Sequence, residues 1–200
     1  MQKKAPLLFE RLPALLLAMP VDELAATRDR ALLLLGYAVA FRRSELVALD
    51  VEDLRCSAAG MYVWIGAAKN DPRKHRRELY VQRLPKAELC AVAALEAWLD
   101  AVGSAGAVFR TFDLRGRLTV NRLDPGDVGR ILSRRCAAAG VSGDFAGHLL
   151  CRGFITNAAK KKVPIESIKR VTGQRSSADV QDYAVSATLE EDPPLLAILG

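Results

Sequence analysis

Two histidines and four cysteines are all the imidazole and thiol that these 200 residues carry, and no two of the cysteines form a CxxC pair. Cys56, Cys90, Cys136 and Cys151 lie far apart among apolar or small neighbours, which reads as buried reduced thiols rather than a disulfide framework or a zinc site. No carboxylates gather around His75 or His148 at a ligand spacing, so a metal-dependent nuclease is disfavoured and neither a metal nor another cofactor is expected. Long apolar runs are missing too. LPALLLAM and RALLLLGYAVAF are too short, and too broken by proline or charge, to cross about 30 Å of hydrocarbon. The basic start MQKK leads into no small-residue cleavage site. These absences point away from membranes and toward a cytoplasmic protein. No internal repeat and no low-complexity linker interrupts the chain.

Half of the residues are apolar, enough for one substantial core. The formal net charge is +6 and the pI about 9.3. The positive residues gather between Lys69 and Lys86 and again between Arg152 and Arg175. Such patches attract a polyanion and bind it with steep salt dependence, although a basic run can also be only a solvated face.

The apolar spacing predicts helices over about 7–19 and 21–41, the second opening after Pro20 and Asp22 and turning Leu24, Ala31, Leu32, Leu35 and Ala38 inward. ELVALDVEDL reads as a short helix and a turn. MYVWIG and RRELYVQRL read as two strands joined by a basic loop. PKAELCAVAALEAWLDAVG is helical and ends at Gly103. A strand pair turns near Arg115 and Gly116. Helices follow after Asp124 and Pro125, over His148 to Lys162, Ile165 to Thr172 and Ser177 to Val185. The expected class is α+β, mainly helical, with a small antiparallel sheet, as one domain over residues 1–200 and an apolar tail from about 187.

Three segments carry chemistry when read together: FRRSELVALDVEDL, GHLLCRGF and TGQRSSADVQDY. Arg42 stands three residues before Glu45, His148 opens the second segment, and Tyr183 closes the third. With the basic hairpin AKNDPRKHRREL between them, they resemble the catalytic domain of the tyrosine recombinases, the phage-integrase family of DNA strand-exchange enzymes. The resemblance runs over nearly the whole chain.

What the resemblance implies is specific. Tyr183 would attack a DNA phosphate and leave a 3′-phosphotyrosine and a free 5′-hydroxyl, with neither ATP nor metal consumed. Arg42 would hold the phosphate, His148 would assist proton transfer, and Lys69 would protonate the leaving oxygen, with Lys74 as its rival. Arg43, Lys74, Arg76, Arg77, Arg152 and Arg175 would contact DNA. Two positions depart from the pattern. Cys151 stands where a second arginine is expected, with Arg152 one residue late, and Gln174 stands where histidine or tryptophan is usual. Glutamine can donate a hydrogen bond but cannot serve as an acid. The partners implied are double-stranded DNA and further copies of the chain, as a tetramer. The domain that usually clamps the opposite side of the DNA is expected to be absent. A catalytically inactive DNA-binding relative remains the alternative, and a topoisomerase-like relaxing enzyme a weaker one. The apolar tail would dock on a neighbouring subunit or on its own domain.

Overall fold

Helix α2, Leu24–Ala38, sits at the centre of the structure, apolar on every side from Ala31 to Leu35 and buried there all round. A computed structural model describes residues 9–66, 77–141 and 149–173 of the chain. The sequence pattern predicts a one-sided stripe on α2, but the burial runs unbroken from Ala31 to Tyr37 while Leu24 lies exposed at the start. Helix α1, Leu12–Leu17, is shorter than expected and follows a 3₁₀ turn over Phe9–Arg11. Helix α3, Arg43–Ala48, leaves α2 after a short turn.

A three-stranded antiparallel sheet follows, in the order β1 (Leu54–Ser57), β2 (Gly60–Ile65) and β3 (Arg77–Gln82). The sequence predicts only β2 and β3. β1 escapes because its middle residues Arg55 and Cys56 face solvent, leaving no apolar alternation to see. It is held by pairing with β2, Leu54 opposite Val63, and by the Ser57 hydroxyl, which donates to Gly60 O at 3.0 Å across the turn. Cys56 is therefore exposed, against the expectation of a buried thiol; Cys90 and Cys136 are buried, Cys151 is half-buried, and all four are free.

Helix α4, Ala91–Val102, packs on α2 and stops at Gly103, whose φ of 90° suits glycine and whose N–H donates to Leu99 O. Its Trp98 is fully buried and donates from Nε1 to Val108 O at 2.7 Å. The hairpin β4 (Arg110–Phe112) and β5 (Leu118–Arg122) turns at the expected place. Helix α5, Pro125–Ala138, starts as predicted: the Asp124 carboxylate accepts from Gly126 N at 2.7 Å and Pro125 occupies the first turn.

Beneath the apolar core lies a charged knot. Asp29 of α2 is fully buried and accepts from Arg28 Nε at 2.9 Å, Arg135 Nε at 2.8 Å and Arg134 Nη2 at 3.1 Å, which ties α2 to α5. Helix α6, Leu149–Lys160, crosses α2 at Gly36, where an added Cβ would stand 2.8 Å from Leu150 Cδ1 and 3.0 Å from Leu46 Cδ2. That close approach brings α3 and α6 together. Helix α7, Ile165–Thr172, rests on α6 through a small separate cluster of Ile155, Ala158 and Ile168. Among the described residues no helix is long and apolar enough to cross a membrane.

Candidate active site

Arg42 occupies the position before the first turn of α3, with an extended backbone at φ −68° and ψ 147°. Glu45, one turn on, accepts from Arg42 N at 2.9 Å and from Arg42 Nη1 at 3.0 Å. The three-residue spacing has a physical reason: it lets one carboxylate close the helix start and aim the guanidinium in front of it. Glu45 is mostly buried, at 16 % side-chain exposure, while Arg42 keeps 54 % and so remains available to an anion. Arg43, half-buried, begins the helix proper.

The far end of α3 is anchored as firmly. Arg122 of β5 donates from Nη1 to Val47 O at 2.7 Å and to Leu49 O at 3.0 Å. A cation on the last carbonyls of a short helix satisfies groups that the helix cannot. The sequence offers no cue to this contact, because 75 residues separate Arg122 from Val47.

Cys151 lies on the first turn of α6 and faces the same ground. Burial pushes its thiol up to about 11; Arg42 and Arg77 oppose that shift and Glu45 adds to it, so all three lie within electrostatic reach. At neutral pH the position carries no charge of either sign. Arg152 follows on the same helix, about 100° round the axis, and does not share the Cys151 direction.

Arg77 opens the second of the two expected strands. In β3 it falls on the same side as the buried Leu79 and Val81, opposite Ile65 of β2, so its side chain enters the inner face of the sheet. Its Nη2 is closed off from solvent and has no hydrogen-bond partner among the described residues. Burial pulls the guanidinium below its ordinary pKa; Glu45 resists, and the like charge of Arg42 adds to the fall. The group reaches the end of α7, where a Cβ on Gly173 would stand only 1.5 Å from Arg77 Nη1. Strict alternation from Val81 back to Arg77 is the signal that finds it.

Of the four tyrosines in the chain, Tyr37 is committed to packing. Its ring meets Phe154 edge-on at 6.4 Å, its hydroxyl takes a hydrogen bond from Asn157 Nδ2, and burial pushes its pKa up to about 12. Tyr62 and Tyr80 meet at a tilt on the outer face of the sheet, ring centroids 4.9 Å apart, with Arg55 over Tyr62 at 4.4 Å.

The structure thus brings Arg42, Glu45, Arg77, Cys151 and Gly173 to one place. Lys69, Lys74, Arg76, His148, Gln174, Arg175 and Tyr183 lie outside the described residues. His148 and Gln174 immediately adjoin described positions, Leu149 at the start of α6 and Gly173 at the end of α7.

The model of the phage integrase family matches residues 7–190. An integrase/recombinase XerD homologue of Selenomonas ruminantium is 35 % identical over 194 residues, covering 96 % of this chain and 57 % of that protein. Tyrosine recombinase XerC of Ralstonia pickettii is 28 % identical over 183 residues, covering 87 % of this chain and 54 % of its own. The chain spans about half the length of these curated relatives. Among solved structures, the XerH site-specific recombinase in its post-cleavage complex with a palindromic difH substrate superposes with a TM-score of 0.72 at 16 % identity, over 95 % of this chain and 52 % of that one. XerA recombinase gives 0.69 at 20 % identity, over 96 % and 67 %. The fold is that of tyrosine recombinase catalytic domains.

Proposed function

Because the chain belongs to the phage integrase family, we propose that it is the catalytic region of a site-specific DNA recombinase acting on double-stranded DNA in the cytoplasm. In the proposed reaction the Tyr183 oxygen attacks the scissile phosphorus. The new P–O bond joins the 3′ phosphate to the tyrosine while the bond to the 5′ oxygen breaks. The phenolic proton leaves through His148, and Lys69, or Lys74 in its place, supplies the proton that turns the 5′ oxygen into a hydroxyl. The bond energy stays in the phosphotyrosine, so a second 5′-hydroxyl can reverse the step and rejoin strands. Arg42 holds the non-bridging oxygens. Its planar fork suits two of them at once.

The observation that carries this reading is Arg42, oriented by Glu45, open to solvent and facing the α6 turn that follows His148. Arg43, Arg76, Arg152 and Arg175 contribute phosphate contacts along the duplex, and the working unit is a homo-oligomer on DNA, a tetramer during exchange. The neutral Cys151 supports a second reading, a DNA-binding relative that no longer cuts. Nicked duplexes that trap the intermediate separate the two. Under the first reading a covalent protein–DNA adduct survives denaturing electrophoresis and is absent from Tyr183→Phe. DNA binding with no adduct from the unaltered chain would establish the second.

A further inference from the structure

We propose that Arg77 supplies the second guanidinium to the scissile phosphate, taking over from β3 the task that Cys151 of α6 cannot perform. The proposal rests on the strand-exchange reading and adds a residue to it. Three observations carry it. A charged side chain has been placed on the buried face of a strand, where its neighbours are Leu79 and Val81. One end of its guanidinium is shut off from solvent without an acceptor among the described residues, and a buried charge so placed is costly unless something pairs with it. The group also stands where the ends of three helices converge: beside Arg42 and Glu45 of α3, beside Cys151 of α6, and against Gly173 of α7.

The local charge completes the argument. Two guanidinium groups, Arg42 and Arg77, face one carboxylate, Glu45, which leaves one positive charge among them, while the Cys151 thiol adds none. A phosphodiester carries one negative charge and several acceptor oxygens. It would relieve the repulsion between the arginines and give Nη2 its missing acceptor. The negative end of the α7 dipole favours a cation at Gly173, yet it gives Nη2 no partner. Helix α7 packs on α6 through a small cluster around Ile155, Ala158 and Ile168, and the proposal requires its Gly173 end to shift when a phosphate arrives.

A pool of nicked duplexes with a randomised centre tests this, scored for covalent adduct and for binding across a salt series. The full chain is compared with Arg77→Gln, Cys151→Arg, the double variant and Tyr183→Phe. Arg77→Gln is expected to slow adduct formation by about 10²- to 10³-fold, the cost of losing one preorganised donor, and to lower the salt slope by about one. In the Cys151→Arg background the same change should cost less than about tenfold, because the α6 arginine then shares the task. Arg77→Gln should melt no lower than the unaltered chain, since it removes a part-buried charge whose Nη2 has no acceptor among the described residues. Wild-type adduct rates from Arg77→Gln, with none from Tyr183→Phe, would overturn the assignment and leave the strand-exchange reading standing. A large fall in melting temperature would overturn it in favour of a structural role. If the unaltered chain binds but forms no adduct, the strand-exchange reading fails, and the salt slope alone decides for or against Arg77 as a phosphate ligand. No DNA binding at all would overturn both.

Discussion

Cys151 sets two expectations at the scale of the single residue. Placing an arginine there, Cys151→Arg, restores a full positive charge in front of the proposed phosphate and should raise adduct formation by at least about tenfold; an unchanged rate would mean that α6 does not face the scissile phosphate. The second expectation concerns pH. Burial raises the Cys151 thiol from 9.0 to about 11 and the Tyr37 phenol from 10.0 to about 12. An acid whose folded pKa is raised loses its proton more easily when unfolded, so the unfolded state gains as pH climbs. Both contributions are whole below pH 9 and decline as pH rises toward 11 and 12, each by up to about 2–3 kcal/mol for a two-unit shift. Urea midpoints measured from pH 8 to 11 should therefore fall, and Cys151→Ala should flatten that fall. Arg42, Glu45 and Cys151 are legible in the sequence because each sits inside a local motif. Arg77 is legible only in part: the sequence places it near the start of the strand RRELYVQRL and among the DNA-contacting arginines, and it takes the pairing of β3 with β2 to turn it inward.

Between elements, the contacts that matter most are those the sequence shows least. Helix α4, the start of α5 at Asp124 and the Gly103 stop can be read directly, since periodicity and capping are local. The role of α2 as the central helix cannot, because its unbroken apolar run from Ala31 to Leu35 gives no one-sided stripe, and its buried Asp29 has partners more than a hundred residues away. Strand β1 is hidden by its polar, exposed middle. Asp29→Ala should cost about 3–5 kcal/mol, the range for stranding buried charge by removing its partner, here Arg28 and Arg135; a loss below about 1 kcal/mol in chemical denaturation would show that α2 and α5 are held by apolar packing alone. The junction of α7 with the sheet makes a different demand. Gly173 has a φ of 64° and no room for a Cβ beside Arg77. Gly173→Ala should cost about 1–2 kcal/mol for the left-handed backbone and more for the displaced guanidinium. Adding Arg77→Ala should recover the second part only, which a double-mutant cycle on unfolding free energies measures.

For the molecule as a whole, the proposed reading has folding and DNA binding draw on separate sets of arginines, and that separation is testable. Arg28, Arg134, Arg135 and Arg122 are engaged by groups of the protein itself, Asp29 and the carbonyls that end α3. Along the sequence, the net charge of +6 is concentrated in two basic stretches, from Lys69 to Lys86 and from Arg152 to Arg175. On the proposed reading those stretches bind duplex DNA, and each phosphate contact contributes about 0.9 to the slope of log affinity against log salt. Lys69→Ala with Lys74→Ala should lower that slope by about two and leave the unfolding midpoint unchanged. Asp29→Ala should do the reverse, lowering the midpoint while the fraction that remains folded binds with an unaltered slope. A slope insensitive to Lys69 and Lys74 would remove the basic hairpin from the interface, and with it the leaving-group role assigned to either lysine, because a side chain that reaches the 5′ oxygen must also feel the phosphate beside it.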